Sequence, residues 1–233
     1  MLLPQEEIPG SGIYRLYEAD EEKELDIVLF HGLERRDSRN AYKTTWQTEV
    51  KNRKVLWPGE WLGKEDNNVH RVLSVSYNSP SITNIEHPTV ELIVDELLRL
   101  LVNPGGVGQE RGVILVGHGL GGLIIQMICR SLASVDQEDP ASKSCLPRPD
   151  MIEMYKMFRK NIHGIFLYGA PLIGSWITNL LYKDPVMRAL AKYKGQETLS
   201  KDFNIACQYF QWQTMALVED RKSTWCKVNC IHP

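Results

Sequence analysis

Continuous apolar runs alternate with amphipathic ones along this chain, and the alternation predicts buried strands separated by helices. Leu25 to Phe30 (LDIVLF) is apolar almost throughout, with charge before it and His31-Gly32 after it. That is the pattern of a parallel strand covered on both faces. Glu34 to Asn40 is polar and reads as a loop. A stretch holding Trp46, Trp57 and Trp61 around Pro58-Gly59 follows. Val69 to Tyr77 (VHRVLSVSY) predicts a second strand, closed by Asn78-Ser79-Pro80. In Val90 to Val102 the residues Val90, Ile93, Val94, Leu97, Leu98 and Leu101 share one helical face, and Glu91, Asp95 and Arg99 line the other. Asn103-Pro104-Gly105-Gly106 ends that helix. Val113 to Val116 predicts a third strand, Gly117 to Gly122 a turn and Leu123 to Leu132 a helix. Residues 134–150 are polar and proline-broken, as in a surface insertion. Met151 to Lys160 predicts a helix and Ile165 to Tyr168 a fourth strand, closed by Gly169-Ala170-Pro171. Ser175 to Lys194 and Leu199 to Gln213 have helical patterns, and Thr214 to Val218 reads as a fifth strand. Cys226 to Pro233 is left as a short remainder.

Strands alternating with helices imply a doubly wound, mostly parallel α/β sheet. The 233 residues suit one such domain or two small ones, and one is taken, over 13–233 after an N-terminal extension over 1–12. Lys plus Arg number 27 against 29 Asp plus Glu, a net charge of -2. That balance gives no electrostatic case for a nucleic-acid partner. The opening MLLPQEEIPG is acidic and proline-broken, unlike a signal peptide or a basic transit helix. The longest apolar run, Gly112 to Cys129, is interrupted by His118, Gln126 and closely spaced glycines, so it predicts strand, turn and helix and no transmembrane segment. Five cysteines at irregular spacing predict free thiols in a reducing intracellular compartment, the cytoplasm first among them. No cofactor is expected.

The informative stretch is Val113-Ile114-Leu115-Val116-Gly117-His118-Gly119-Leu120-Gly121-Gly122-Leu123. A buried strand runs into a helix through a tight turn flanked by glycines. In esterases and lipases such a turn carries G-x-S-x-G, with small flanking residues because strand and helix pass close together. Here Gly117 and Gly121 hold the flanks and Gly119 the centre. Gly117-x-Gly119-x-x-Gly122 also matches the dinucleotide fingerprint, but the strand lies mid-chain and no later strand ends in an acidic residue at the spacing a ribose contact needs. A phosphate-binding P-loop is excluded by the lack of a Lys-Ser/Thr pair.

With these residues in view, Ile13 to Thr224 resembles the α/β-hydrolase domain of the serine-active-site-containing protein family, related to lipase-like serine esterases. The resemblance rests on several segments in order. They are Asp26 to Leu33 with its His31-Gly32-Leu33, Trp46 with Trp57-Pro58-x-x-Trp61-Leu62, Arg71 to Tyr77, the elbow from Val116 to Leu123, Pro171 with Gly174-Ser175, and Glu219 with Thr224. The family's elbow has serine where this chain has Gly119, and after Pro171 it has a His-His pair where this chain has Leu172-Ile173. Its catalytic His lies in a later Asp-His segment that cannot be placed here. Against that family the sheet is expected to be cut short before its last strand, and truncation would expose an edge strand, so a partner covering the truncated edge or poor solubility is expected.

A serine hydrolase needs a nucleophile, a base and a group that orients the base. Gly119 supplies no attacking oxygen. The oxyanion donors, by position the N–H groups of Leu33 and Leu120, would survive and would hold a carboxylate or ester oxygen of an acyl ligand. Gly32, Gly117, Gly121 and Gly122 shape the turn and the facing loop. His31 and His118 read as structural. Glu219 stands where a triad acid sits, although Glu219-Asp220-Arg221-Lys222 also reads as solvated loop charge. His232 follows too closely to serve as the base. Ser175 is better as a helix cap than as a nucleophile. Cys226, Cys230 and His232 have poor zinc spacing and lack a fourth ligand, so no metal is expected. The tryptophans read first as packing over the sheet edge and second as a lipid-facing lid. Two functions follow: an inactive hydrolase-like binding or scaffold module, or an esterase, lipase or acyltransferase acting on lipid or ester substrates through an unusual nucleophile or through a serine that the parent gene normally encodes.

Overall fold

The structure, a computed structural model, describes residues 12–32, 40–65, 68–77, 90–103, 106–136, 149–170, 196–219 and 226–230. In chain order it begins with β1 (Gly12–Glu18), β2 (Leu25–Phe30), α1 (Ala41–Thr44) and a hairpin of β3 (Gln47–Val50) and β4 (Arg53–Leu56). A π-helical turn (Pro58–Leu62), α2 (Gly63–Glu65), β5 (Val69–Ser76) and α3 (Val90–Val102) follow. Then come β6 (Gly112–His118), α4 (Leu120–Ala133), α5 (Ile152–Asn161) and β7 (Ile162–Tyr168). The last described elements are α6 (Gln196–Phe210), β8 (Gln213–Glu219) and β9 (Cys226–Cys230).

The main sheet runs β1-β5-β2-β6-β7-β8-β9. The five inner strands are parallel, while β1 and β9 pair antiparallel with β5 and β8. The architecture is therefore a mixed α/β fold with a mostly parallel central sheet, as the alternating pattern predicts. Register explains why β2 is apolar on both faces. Val28 and Phe30 join Val113 and Leu115 under α3, α4, α5 and α6, whose Leu97, Ile124, Phe158 and Phe203 are buried there. Ile27 and Leu29 face the other way, against Trp46, Val69 and Val72, with Trp57, Leu62, Ile114 and Val116 packed beside them. The tryptophans thus cover a sheet face rather than an edge. Trp46 Nε1 donates to Ser74 Oγ at 3.2 Å, and that hydroxyl donates to the Tyr42 carbonyl at 2.7 Å.

Asp26 is a buried carboxylate in β2, wholly inside the protein. It survives because Arg71 of β5 grips it in a fork, Nε to Oδ1 at 2.9 Å and Nη2 to Oδ2 at 2.5 Å.

Some elements differ from expectation. β1 and the β3–β4 hairpin were not foreseen. The hairpin turns at Lys51-Asn52, both in the left-handed region with φ of 49° and 63°, the pair of positive angles that a two-residue hairpin turn requires. α4 starts at Leu120 and not at Leu123, so the expected six-residue turn shrinks to Gly119. The remainder after Cys226 supplies β9, which occupies the outer side of β8. β8 is therefore not an exposed edge, and the expectation of a partner there loses its support. The helix expected over Ser175 to Lys194 and most of the 134–150 insertion lie outside the described residues. No helix among the described residues is long and apolar enough to cross a membrane.

Candidate functional site

From β2 the chain crosses to β5 on one side, then returns past β2 to β6 on the other. The strand order therefore reverses between β2 and β6, and the carboxyl ends of strands at such a switch point are where α/β sheets bind ligands. Gly32 and Gly119 meet there, a Cβ on Gly119 lying 3.6 Å from the Gly32 Cα.

Gly119 has φ 54° and ψ −117°, a backbone state that L residues enter only under strain, and it forms the bend from β6 into α4. Three glycines around it are dictated by close approach. A Cβ on Gly117 would stand 2.6 Å from the Gly122 Cα, and one on Gly122 would stand 2.5 Å from the Ala170 Cβ. One on Gly121 would lie 2.6 Å from the Phe30 carbonyl carbon and 2.7 Å from the His31 oxygen. Gly119 itself is different: a Cβ there would meet only the Gly32 Cα, at 3.6 Å. The apex is open, and its neighbours are closed.

The bend is held by main-chain bonds. Gly119 N–H donates to the Tyr168 carbonyl at 2.9 Å, and Gly122 N–H donates to the Gly119 carbonyl at 3.1 Å. Leu120 and Gly121 open α4, where backbone N–H groups have no partner one turn back within the helix and carry the positive end of its dipole.

His31 is fully buried and built into the loop after β2. Its Nδ1 lies 2.8 Å from the Gly32 carbonyl and donates to it, while Nε2 accepts the Tyr77 N–H at 3.4 Å. The two contacts select the Nδ1–H tautomer. Its ring stacks on Tyr77 at 4.0 Å between centroids, and the Tyr77 hydroxyl donates to the His31 carbonyl. Burial pushes the imidazole pKa down from 6.5 to about 4. The same burial pushes the Tyr77 phenol up. His31 is a neutral pin for the Gly32 loop with both nitrogens occupied, so it has no lone pair left to serve an attacking hydroxyl.

That pin has a pH signature. The unfolded chain binds a proton on His31 near 6.5 and the folded chain only near 4. Its contribution is therefore complete above about pH 6.5 and is lost as pH falls toward 4, on the order of 3 kcal/mol across the window. Urea midpoints measured from pH 7.5 to 4.5 should fall with that slope, and His31→Gln should flatten it. An unchanged slope in the variant would contradict the assignment.

His118 ends β6 in an aromatic group. Its ring lies 5.4 Å from Tyr168 and meets Trp46 edge-on at 6.4 Å, and Trp57 and Trp61 extend the series. Its Nδ1 stands 2.8 Å from where a Cβ on Gly32 would sit, so the imidazole fills the space that a side chain there would need.

The structure thus brings together His31, Gly32, Gly117, His118, Gly119, Leu120, Gly121 and Gly122. Leu33, the second oxyanion position, lies outside the described residues, as do Ser175 and His232. Glu219 ends β8, two strands from β6, with its backbone opposite Cys226; its side chain, like those of Cys226 and Cys230, is outside the description. Among the described residues no cluster of His, Cys, Asp and Glu could hold a metal ion. Sequence reasoning missed Tyr77 and Tyr168 as parts of the site. Both close a strand run at the carboxyl edge of the parallel sheet, where their rings pack on His31 and His118.

The chain matches no protein-family model and no curated protein. Among solved structures it is similar to a carboxylesterase of the ammonia-oxidizing thaumarchaeon Nitrososphaera gargenis, 14% identical over 90% of this chain and 77% of that one, with a TM-score of 0.42. It is also similar to a lipase of Bacillus licheniformis, at 14% identity, 88% and 70% coverage and a TM-score of 0.40. A carboxylesterase of Lactobacillus plantarum stands at 10%, 89% and 77%, with a TM-score of 0.41. These structure neighbours are esterases and lipases at low sequence identity.

Proposed function

We propose that this chain is a pseudo-hydrolase: a domain of the α/β-hydrolase type that keeps the nucleophile bend, lacks the nucleophile and serves as a binding or scaffold module. The observation that carries the reading is Gly119 at the apex with φ 54° and ψ −117°. The backbone geometry that presents a nucleophile is intact, and no oxygen stands on it. Removal of the nucleophile alone lowers turnover by a factor on the order of 10⁶ in the enzyme where it was measured, with roughly 10³–10⁴ over water surviving from binding and the oxyanion donors. Glycine also spares the roughly 1–3 kcal/mol that another residue would cost in this conformation, so the bend persists for the fold.

Main-chain donors outlast side-chain losses. The N–H groups of Leu120 and Leu33 would hold the oxygen of an acyl ligand, a carboxylate or an ester carbonyl. Glu219 is the acid candidate of the set. Buried free thiols at Cys129 and Cys207, their pKa values pushed up by burial, support a reducing, cytoplasmic setting. A role in lipid or ester metabolism follows from the family resemblance alone.

One observation favours the enzyme reading: the space at Gly119 accepts a Cβ without a steric clash. The site is still shaped for a side chain at that position, as in an esterase, lipase or acyltransferase. The purified chain should release no nitrophenolate from short-chain nitrophenyl esters above the protein-free rate. Saturable turnover would establish the enzyme instead.

A further inference from the structure

The β3–β4 hairpin belongs to a sheet of its own, apart from the seven main strands. Its inner residues Gln47, Thr48, Val55 and Leu56 are half-buried, and every residue from Glu49 to Lys54 is exposed. Register sets Val50 opposite Arg53 at the tip, and Val50 is 42% exposed. Lys51 holds the first place of the turn at φ 49°, a place that asparagine or glycine fills with less strain. After β4, three tryptophans step outward from the core. Trp46 is 4% exposed and Trp61 47%, with the Trp57 ring between them, 6.1 Å from the first and 5.9 Å from the second. Positive charge gathers in the same stretch. Residues 40–65 carry Lys43, Lys51, Arg53, Lys54 and Lys64 against Glu49, Glu60 and Glu65, in a chain whose net charge is -2. Glu49 stands opposite Lys54 in the hairpin. Lys64 Nζ donates to Glu60 at 2.6 Å and holds that carboxyl below its ordinary value, and the charge of Arg53 adds to the effect. Arg53 and Glu60 are therefore neighbours, which joins the hairpin tip to the turn that carries Trp61.

We propose that the hairpin tip and Trp61 dock on the headgroup layer of an anionic lipid membrane. The two exposed apolar side chains are set among cations and not in a contiguous apolar patch. A protein interface needs such a patch at its centre and is depleted in lysine. A headgroup layer takes the observed mixture: tryptophan sits at that depth, lysine and arginine lay their stems on apolar surface while their charges stay in water, and each cation is drawn to anionic lipid. Screening confines that attraction to about 10 Å, so the local surplus of cations governs it and the acidic balance of the whole chain does not. A nucleic-acid strand would use the cations and the indole but would leave Val50 without a role. The proposal is independent of the bend at Gly119.

The test is co-sedimentation of the whole chain with vesicles of three parts phosphatidylcholine to one part phosphatidylserine, and with vesicles of phosphatidylcholine alone. The chain should bind the first and not the second. Lys51→Gln with Arg53→Gln should weaken binding about fivefold for each cation removed, without moving the urea midpoint, since both side chains are exposed. Lys160→Gln with Lys201→Gln, exposed cations of α5 and α6, should bind as the parent does. Lipids brominated on their acyl chains should quench tryptophan emission in the parent and much less in Trp61→Phe. Absence of binding to the anionic vesicles, equal binding to both kinds, or equal losses in the two paired variants would overturn the proposal. Quenching that survives intact in Trp61→Phe would overturn the part assigned to Trp61.

Discussion

Gly121→Ala is expected to cost about 3 kcal/mol or more and to leave little folded protein, because the added methyl meets backbone and not a side chain that can swing away. Its Cβ would lie within 2.7 Å of the Phe30 carbonyl carbon and the His31 oxygen, at the point where α4 crosses the end of β2. Relief would require moving the helix or the strand, and both are buried in the core under Phe30, Leu120 and Ile124. Gly119→Ala, two residues earlier, should be much milder. It meets only the Gly32 Cα at 3.6 Å, and its penalty is the positive φ, roughly 1–3 kcal/mol. Urea unfolding of the two variants side by side checks the contrast. Equal midpoints would mean that helix and strand are not as close as described.

Arg71→Leu should cost about 3–5 kcal/mol, since it strands a buried carboxylate without a partner. Asp26 has no exposure, and the Arg71 fork provides its side-chain hydrogen bonds from the neighbouring strand. The carboxylate in turn pushes the guanidinium pKa up through those same bonds. Replacing both, Asp26→Leu with Arg71→Leu, should restore most of the loss, because two apolar side chains need no compensation. Chemical denaturation of the single and double variants forms the cycle. A double variant no more stable than Arg71→Leu alone would show that the pair does more than neutralise a buried charge.

The inner strands and the helices between them were legible because burial on both faces leaves a plain mark: LDIVLF has no polar face to disguise it, and the stripe Ile93, Val94, Leu97, Leu98, Leu101 has the helical period. β1 was not, since GIYRLYE at the sheet's edge mixes aromatic, apolar and charged residues without a clean alternation. The start of α4 was misplaced because glycines read as turn residues, whereas Gly121 and Gly122 are glycine so that a helix can approach a strand. The bend itself was legible from glycine spacing, but the aromatic group around His118 was not. Tyr168, His118 and Trp46 lie far apart in the chain and meet only through strand order. The His31–Tyr77 pin is equally nonlocal, a contact across 46 positions.

The central proposal is that the bend at Gly119 is kept for the fold and that restoring an oxygen there would not restore a serine hydrolase. The most direct measurement restores the oxygen: Gly119→Ser is purified, shown to be folded by its urea transition, and incubated with a fluorophosphonate probe. Intact mass should show no covalent phosphonate on the variant, as on the parent chain. A stoichiometric adduct at position 119 would place a working base beside the bend and contradict the claim.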